Sequence, residues 1–587
     1  NIYGGANQNN IYGTVEIDIE NGKVNGVVYG GSNIRGTISG SVLLDIEGGQ
    51  LGEKSDTQGF DYSNNDVAFG GGLGEETSVD GRILLNVNEN KNNTEIYGNV
   101  YGGSSLGKIN SNVYINVQDL ATTVNKLSIS GYVFGGGKGE ENKSAVVKGN
   151  VTINIDGSNL DNCSIFGGSN INGDVNGIIT INVGKTYETT LHAVYGGGNQ
   201  ASIGTETQGI YVFLLDNADI QNAFTGGKSA DLISIDENDI TRGIYLQGGT
   251  VENIYGGSDL SGFVTVTHVY IEYGNVSNVY GGNNQGGTAN VTNVIMNNGT
   301  VGNVYGGNNQ GGTANTTNVL IKGGNPGNVY GGNNQGGIAQ NTNVFVESGN
   351  IQTLYGGGDN AESNMSNVKT TGGIINNLYG GGNQAKITTN TNVNIETTTI
   401  QENIYGGGNE GAVEGNTNVH IKDSTINGSV YSGGNGSNAT VYGNTNLIME
   451  GTNNVLKSVF GGGNQAKTGT EEKNNSISTV NIVGATVGEN VYGGANTSVV
   501  YGATIINLGY ETVKDTSLQK GNIEIMGTVF GGGEANASGS EIYDFSFISV
   551  TKQINIEIDG AGHDEFSIKG SIFGSGNASS TSGTSNI

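Results

Sequence analysis

Proline and cysteine are almost absent from this chain: Pro326 and Cys163 are the only examples among 587 residues, and tryptophan does not occur. A collagen-like chain is excluded, because glycine does not recur at every third position and proline is lacking. The 107 glycines are periodic and flanked by Val, Ile and Tyr, which argues against a flexible linker. A single cysteine cannot form an internal disulfide, and we predict that Cys163 is a small apolar core residue.

Basic residues are also scarce. Lysine and arginine total 24 against 53 acidic residues, so the formal net charge is −29. This charge argues against nucleic acid or anionic lipid as the main partner and is compatible with bound cations. No apolar run approaches the roughly 20 residues that a membrane-spanning helix needs, so we predict no membrane span.

What the chain does contain is an internal repeat. The sequence NVYGGNNQGG occurs three times, at 278–287, 303–312 and 328–337, with a period of 25 residues. Self-similarity at a period of 20–50 residues is typical of repeat architectures. The repeat therefore takes precedence over the several domains that length alone would suggest.

The repeated motif reduces to an aliphatic residue, an aromatic residue and two small residues, usually glycines. It recurs 20 times, with 24–26 residues between copies from Tyr255 to Tyr431 and mostly 29–43 elsewhere. The aromatic residues are Tyr3, Tyr29, Phe69, Tyr101, Phe134, Phe166, Tyr195, Phe224, Tyr255, Tyr280, Tyr305, Tyr330, Tyr355, Tyr379, Tyr405, Tyr431, Phe460, Tyr492, Phe530 and Phe573.

A second element in each repeat alternates apolar and polar residues, as in TVEIDIE at 14–20 and NVTINID at 150–156. This pattern is typical of a half-buried strand. With Gly-rich corners between strands, it predicts an all-β, right-handed parallel β-helix (a β-solenoid) of about 20 coils of roughly 25–30 residues. Handedness follows from the right-handed bias of parallel crossovers.

We interpret residues 1–587 as one continuous solenoid, with longer inserts in 1–250 and 441–587 and uniform coils in 251–440. The chain begins within a motif and shows no capping segment, so we expect it to be a piece of a longer polypeptide. The predicted insert loops, which we expect to carry any discrete recognition, are Glu53–Asn65, Glu140–Ser144, Gly469–Asn475, Tyr510–Lys520 and Ser538–Asp544.

Stacked coils should align equivalent side chains into columns. The aromatic column should pack ring on ring at about 4.8 Å, and its mixture of Tyr and Phe favours packing over chemistry. Whether it faces inward or outward is open at this stage. A candidate amide ladder comprises Asn293, Asn318, Asn343, Asn367, Asn392, Asn418 and Asn446.

The chain resembles glycine-rich, adhesin-like bacterial surface and secreted proteins that carry repeated V-[YF]-G-G-G-N motifs. It is similar in style to autotransporter passenger domains and polymorphic outer-membrane proteins, which build parallel β-helices. The motifs that carry the resemblance are Val194–Asn199, Leu378–Asn383, Ile404–Asn409 and Val459–Asn464. The resemblance implies a cell-surface or extracellular location and a role in adhesion or display, and it transfers no catalytic residue.

An acidic cluster in the first two coils is the candidate site. Strand stacking in register would place Asp18 beside Asp45 and Glu20 beside Glu47, about 4.8 Å apart. Three interpretations are open: a solvated acidic stripe, a bound cation such as Ca²⁺, which prefers several oxygen ligands, or a carboxylate pair of glycosidase type. No other cofactor is expected.

Other polar motifs give weaker signals. The Gly-Gly-Asn corners are similar to calcium-binding β-roll turns, but aspartate occupies the ligand position only at Asp259 and Asp359. The four histidines show no metal-ligand spacing, and we expect His268 and His420 at the surface. We also expect Asn309 to lie in a solvated turn.

These observations favour a non-enzymatic structural or adhesive rod on a bacterial surface or in an extracellular fibre. It would bind host-cell or environmental glycans or proteins, or other copies of itself, through repetitive polar faces and insert loops. The alternatives are a carbohydrate-binding or carbohydrate-cleaving β-helix and a subunit of a self-assembling filament or phage fibre.

Overall fold

The computed structural model describes residues 1–88, 92–119, 126–157, 159–509, 513–534, 537–538, 542–543 and 548–587. Its named elements are all β-strands, and parallel strands stack as a β-solenoid of about 20 coils. The predicted fold class is confirmed. Two compact units, Asn1–Val301 and Gly302–Ile587, are described in turn.

The strands of the first unit are short where coils carry inserts and long where coils are uniform. They are β1 (Ile2–Tyr3), β2 (Val15–Ile19), β3 (Lys23–Val24), β4 (Val28–Tyr29), β5 (Arg35–Ile38), β6 (Val42–Ile46), β7 (Gly49–Leu51), β8 (Asp66–Phe69), β9 (Glu76–Val79), β10 (Ile83–Asn88), β11 (Thr94–Ile96), β12 (Asn99–Tyr101), β13 (Lys108–Ile109), β14 (Val113–Gln118), β15 (Leu127–Ile129), β16 (Tyr132–Phe134), β17 (Val151–Asp156), β18 (Asn159–Phe166), β19 (Ile178–Val183), β20 (Thr189–Tyr195), β21 (Gly209–Leu214), β22 (Ala218–Phe224), β23 (Arg242–Tyr255), β24 (Phe263–Tyr280) and β25 (Thr288–Met296).

Strand β26 (Thr300–Tyr305) contains the division between the units. The strands of the second unit are β27 (Thr313–Ile321), β28 (Asn325–Tyr330), β29 (Ile338–Val346), β30 (Asn350–Tyr355), β31 (Glu362–Thr370), β32 (Ile374–Tyr379), β33 (Thr391–Glu396), β34 (Thr399–Ile400), β35 (Ile404–Tyr405), β36 (Thr417–Lys422), β37 (Thr425–Ile426), β38 (Val430–Tyr431), β39 (Thr445–Glu450), β40 (Asn454–Val455), β41 (Val459–Phe460), β42 (Ser476–Ile482), β43 (Ala485–Val487), β44 (Val491–Tyr492), β45 (Gly502–Leu508), β46 (Ile523–Ile525), β47 (Val529–Phe530), β48 (Ala537–Ser538), β49 (Ile542–Tyr543), β50 (Ile548–Val550), β51 (Ile554–Ile558), β52 (Phe566–Ile568), β53 (Ile572–Phe573), β54 (Ser580–Thr581) and β55 (Ser585–Asn586).

Each strand of the first unit pairs in parallel with its equivalent one coil away. One ladder carries the alternating element and runs through β2, β6, β10, β14, β17, β19 and β21 into β23, β24 and β25. A second carries the aromatic motif through β1, β4, β8, β12, β16, β18, β20 and β22 into β23 and β24. Two shorter ladders, β3-β7-β11-β15 and β5-β9-β13, complete the coils.

The second unit repeats this plan with three ladders. The alternating element runs through β27, β29, β31, β33, β36, β39, β42, β45, β51 and β55. The aromatic motif runs through β28, β30, β32, β35, β38, β41, β44, β47 and β53. The third ladder continues from β32 through β34, β37, β40, β43, β46 and β52.

Alternation along one strand shows why the core forms. In β33, Thr391, Val393 and Ile395 are buried, whereas Asn392 is half-buried and Asn394 is exposed. Successive side chains of a strand point to opposite faces, so every coil contributes the same apolar positions to a continuous core. Burial of these side chains is the main favourable term, at roughly 25 cal/mol for each Å² of apolar surface removed from water.

Buried threonine hydroxyl groups recur at the same position of successive coils and form a column in this core. Thr391 Oγ1 donates a hydrogen bond to the carbonyl oxygen of Gly406 at 2.6 Å, and Thr417 Oγ1 does the same to Ser432 at 2.6 Å. Each bond joins the alternating strand to the residue that follows an aromatic one. The hydroxyls therefore satisfy carbonyl groups that would otherwise be buried without a partner.

Glycine follows the aromatic residue in most coils, and at Gly380 the close approach between coils requires it. A Cβ atom on Gly380 would lie 2.3 Å from the carbonyl oxygen of Gly406 and 2.7 Å from a methyl group of Val393. No side chain fits at that distance. Corner glycines such as Gly299 and Gly349 have positive φ angles of 94° and 105°, which only glycine adopts readily.

The aromatic rings stack in both units, as the repeat predicts. Neighbouring ring centroids lie 4.4–5.2 Å apart from Tyr3 to Tyr280 and 4.7–5.4 Å apart from Tyr305 to Phe573. The rings are buried except at the ends of the column, where Tyr3 is half-buried and Phe573 is exposed. The column thus faces inward.

No helix in the described part of the chain has both the length and the apolar character needed to cross a membrane.

Candidate binding groove

The amide ladder predicted from the sequence is present in the second unit. Each asparagine side chain donates an N–H to the Oδ1 atom of its equivalent in the preceding coil, over N···O distances of 2.9–3.1 Å. We call its members the amide column: Asn318, Asn343, Asn367, Asn392, Asn418 and Asn446. A side-chain amide has two N–H groups and two acceptor lone pairs, and the ladder uses one of each at an interior position.

A second outward column lies two residues further along the same strands. We call it the mixed column: Phe345, Lys369, Asn394, His420 and Ile448. Register pairing places these side chains one above another in β29, β31, β33, β36 and β39. The Lys369 ammonium lies over the Phe345 ring, 5.6 Å from its centroid, a cation–π contact.

The two columns enclose an open groove of about 630 Å³. Between them lie buried valines such as Val368 and Val393, which have 2% of their surface exposed. The groove crosses five coils, so the same backbone geometry and the same asparagine recur at each step. The groove brings outward apolar, amide and ionisable groups together on one surface.

One edge of the groove is connected to a predicted insert loop. His420 Nε2 lies 2.9 Å from Glu450 Oε1, and the other carboxylate oxygen of Glu450 accepts a hydrogen bond from the backbone N–H of Gln519. Glu450 is buried, with 5% of its surface exposed. Gln519 of the predicted loop Tyr510–Lys520 is thus linked through Glu450 to His420 at the groove. Residues 510–512 of this loop lie outside the described residues.

The acidic cluster predicted in the first two coils is placed in register. Asp18 pairs with Asp45 across β2 and β6, and the Asp45 carboxylate accepts a hydrogen bond from Asn86 Nδ2 at 2.6 Å. Asn86 begins an amide ladder that continues through Asn116, Asn154 and Asn182. Asp45 is thus the acceptor end of a ladder in the first unit.

Glu20 and Glu47 lie just beyond these strands, with Glu20 exposed and Glu47 half-buried. No group of three or more His, Cys, Asp or Glu side chains among the described residues is arranged to hold a metal ion. The cation site at Asp18, Glu20, Asp45 and Glu47 stays a prediction, and so does the Ca²⁺ that it would take.

The two aspartates in the corners that resemble calcium-binding turns, Asp259 and Asp359, also belong to amide ladders. Asp359 Oδ1 accepts from Asn383 Nδ2 at 2.7 Å, and Asp259 Oδ1 accepts from Asn284 Nδ2 at 2.8 Å. The ladder that starts at Asp359 continues from Asn383 through Asn409, Asn435, Asn464 and Asn496. These carboxylates accept amide protons at the ladder ends.

Two expectations about exposure are wrong. His268 is buried, with 7% of its surface exposed. Its ring stacks on Tyr270 of the same strand with 5.8 Å between ring centroids, and its Nε2 atom lies 3.3 Å from Asn293 Nδ2 of the next coil. Burial lowers the pKa of His268. Asn309 is buried at 7%, because Asn334 Nδ2 of the next coil donates to its Oδ1 atom at 2.8 Å. The corner amides of stacked coils cover one another, so these corners are not solvated.

Two other expectations about exposure hold in whole or in part. Cys163 is fully buried, and burial raises the pKa of its thiol to about 12. His420 is half-buried, with 35% of its side chain exposed.

The insert loops differ in what they border. Ser63 and Asn64, at the end of Glu53–Asn65, line a polar pocket in the first unit. Glu140–Ser144 forms a small turn in which Glu140 and Lys143 exchange backbone hydrogen bonds. Gly469–Asn475 is largely exposed. In Ser538–Asp544, residues 539–541 and 544 lie outside the described residues.

Comparison with protein families, with curated proteins and with solved structures finds no match to this chain. Function must therefore be argued from the groove and from the columns that line it.

Proposed function

We propose that this chain is a non-enzymatic structural or adhesive protein of a bacterial surface or an extracellular fibre. It binds through repetitive polar faces, of which the groove in the second unit is the best formed. Its partners are glycans or proteins of a host cell or of the environment, or other copies of itself. The single observation that carries this proposal is the groove's repetition across five successive coils.

Repetition suits multivalent contact. Each coil presents one amide of the amide column and one side chain of the mixed column, at a spacing of about 4.8 Å. A partner with its own regular repeat can engage several coils at once. Each contact is then weak, and avidity raises the overall affinity by roughly 10²–10⁴ without a deep pocket.

The chemistry of the lining suits a polymer with polar and apolar parts. The amide column offers hydrogen-bond donors and acceptors that carry no charge. Phe345 and Ile448 add apolar surface at the two ends of the mixed column. Lys369 and His420 add polar nitrogen groups between them.

The test is adhesion of beads coated with the 587-residue chain to host-cell surfaces, extracellular polysaccharides and surfaces coated with the chain itself. Asn394→Glu places a carboxylate in the middle of the groove, and we expect it to change adhesion several-fold. The matched control is Gln401→Glu, which adds the same charge at an exposed position of the same unit outside the groove; it should behave as the parent.

Adhesion that falls steeply as fewer molecules are coated on each bead would support binding by avidity. The proposal is overturned if the parent adheres to none of these surfaces. It is also overturned if Asn394→Glu and Gln401→Glu leave adhesion equally unchanged, because the groove would then take no part.

A further inference from the structure

A polar pocket of about 650 Å³ lies in the first unit, separate from the groove. Its volume falls within the range of roughly 300–1,000 Å³ that is usual for small-molecule sites. We call it the lysine pocket; it is lined by Ser63, Asn64, Asp66, Tyr132, Lys138, Asn170, Ile171, Asn199, Gln200, Lys228, Ser229 and Leu260.

The pocket forms where lysine interrupts a column of corner residues. Lys138, Asn170, Asn199 and Lys228 follow the small residues of four successive aromatic motifs. Asn199 Nδ2 donates to Asn170 Oδ1 at 2.9 Å, as in the amide ladders of both units. The lysines occupy the equivalent position on either side of this pair, so two ammonium groups flank two amides.

The two lysines differ in their partners. Lys138 Nζ forms an ion pair with Asp66 Oδ2 at 2.6 Å. Lys228 Nζ lies 5.5 Å from the centroid of the Tyr132 ring and 3.4 Å from the Tyr132 hydroxyl oxygen. Among the described residues, Lys228 has no carboxylate within ion-pair distance. A pocket lysine without a carboxylate partner locally favours an anionic ligand.

Asp61 and Asp66, two carboxylates of this region, have interaction partners other than Lys228. The Asp61 carboxylate accepts a hydrogen bond from the backbone N–H of Ser63 at 2.9 Å; this bond is the largest cause of its lowered pKa, to which Lys228 adds a smaller electrostatic effect. Asp66 accepts from the Tyr101 hydroxyl at 2.9 Å as well as from Lys138. Neither carboxylate is placed to neutralise Lys228 directly.

The walls of the pocket are held in place before any ligand binds. Asn170, with 6% of its surface exposed, donates to the buried Tyr101 hydroxyl at 2.8 Å. The insert 53–65 is fixed by Asn99, which is fully buried and donates to the Ser63 carbonyl oxygen at 2.6 Å. A preformed site loses little conformational entropy on binding.

We infer that the lysine pocket binds a carboxylate-bearing sugar, such as a uronic or sialic acid residue of an acidic polysaccharide. Lys228 receives the carboxylate. The amide and hydroxyl groups of Asn199, Gln200 and Ser229 bond to sugar hydroxyls, while Ile171 and Leu260 contact the apolar ring face.

This inference does not depend on the proposed function, because the site is a single pocket in the first unit. The probes are hyaluronan and alginate oligosaccharides and sialyllactose, each compared with its carboxyl-reduced form, in which the carboxylate is replaced by a neutral hydroxymethyl group. Binding to the full chain is measured by calorimetry and by ligand-observed NMR. We expect at least one acidic probe to bind at least tenfold more tightly than its reduced form.

Lys228→Gln removes the charge while keeping a long polar side chain, and should weaken binding of that probe about tenfold. Lys228→Arg should retain most of the affinity. The control is Lys148→Gln, an exposed lysine of the same unit outside the pocket, and it should bind as the parent; the thermal unfolding midpoint of each variant verifies folding.

Three results would overturn the inference: none of the acidic probes binds saturably, every acidic probe that binds is matched in affinity by its reduced form, or Lys228→Gln binds that probe unchanged. Sugar binding by a parent chain that adheres to none of the tested surfaces would show that the proposed function has failed while this site stands.

Discussion

At the residue scale, the groups that surround a buried side chain decide which substitutions the position tolerates. Val304 and Asn309 both lie in the same repeat and both are buried, with 1% and 7% of their surface exposed. They differ in what their environment supplies. Val304 contributes only to the apolar core, whereas Asn309 accepts a hydrogen bond from Asn334.

We expect Val304→Asp to destabilise the protein by several kcal/mol, because an unpaired charge would enter the core. Asn309→Asp keeps the oxygen that accepts from Asn334 but replaces a buried amide with a carboxylate, so it should cost less than Val304→Asp, about 1–3 kcal/mol. Urea unfolding followed by circular dichroism measures both. Equal midpoints for the two variants would show that the core assignment of Val304 is mistaken.

At the element scale, columns are the units that hold neighbouring coils in register. Asn392 donates to Asn367 at 2.9 Å and accepts from Asn418 at 3.0 Å. Asn394, on the same strand, is exposed and belongs to the mixed column. Substituting each residue in turn therefore distinguishes the effect on stability of breaking the ladder from the effect of adding charge to this face.

We expect Asn392→Asp to lower the free energy of unfolding by about 1–3 kcal/mol, because it removes a donor and sets a carboxylate against an acceptor oxygen. Asn394→Asp adds the same charge without breaking the ladder, and should stay within about 0.5 kcal/mol of the parent. Chemical denaturation of both variants is the measurement. A larger loss for Asn394→Asp would argue against the ladder as a stabilising element.

The buried tyrosines of the aromatic column should make the folded state less stable as the pH rises into the alkaline range. Burial raises the pKa of Tyr379 to about 12 and that of Tyr29 to about 12, from an ordinary value of about 10. It also raises the pKa of Tyr355 and Tyr405. The folded chain then holds protons that the unfolded chain releases, so the stabilising contribution is complete below pH 10 and is lost as pH rises through 12.

Thermal unfolding midpoints should therefore fall between about pH 10 and pH 12, with tyrosinate absorbance appearing together with unfolding. A triple variant, Tyr355→Phe, Tyr379→Phe and Tyr405→Phe, removes three of the titrating groups and keeps the stacked rings. Its midpoint should fall less over the same pH range. A parallel fall in parent and variant would assign the alkaline loss to other groups.

At the scale of the whole molecule, the dominant electrostatic feature is the excess of negative charge. The 53 acidic residues exceed the 24 basic ones, and like charges on a compact chain repel one another. Surface ion pairs such as Lys569 with Glu524 at 3.3 Å add little, since exposed pairs contribute roughly 0–1 kcal/mol. Screening should accordingly favour the folded state.

We expect the thermal unfolding midpoint at neutral pH to rise when NaCl is increased from about 0.01 to 0.15 M, because the Debye length falls from roughly 30 to 8 Å. The control is a series at constant ionic strength in which the salt anion is varied, which should leave the midpoint unchanged. A midpoint that falls with NaCl would mean that attractive ion pairs outweigh the net repulsion.

The sequence by itself determined the repeat, the parallel β-solenoid, the stacked aromatic column, the amide column of the second unit and the pairing of Asp18 with Asp45. Each of these follows from periodicity, because equivalent residues of stacked coils must become neighbours. Only the tertiary structure decided that the aromatic column faces inward and that Asn309 and His268 are buried. Burial depends on which side chain of the adjacent coil covers a position, and that is not a property of the repeat.

The lysine pocket, likewise, could be predicted only in part from the sequence. A signal was present, since lysine replaces asparagine in two corners at Lys138 and Lys228. The residues that complete the pocket come from an insert, as Ser63 and Asn64 do, and from several coils, as Tyr132 and Leu260 do. These residues lie together because of the path that the insert takes across the stacked coils. The periodicity of the sequence predicts only contacts between equivalent positions of neighbouring coils.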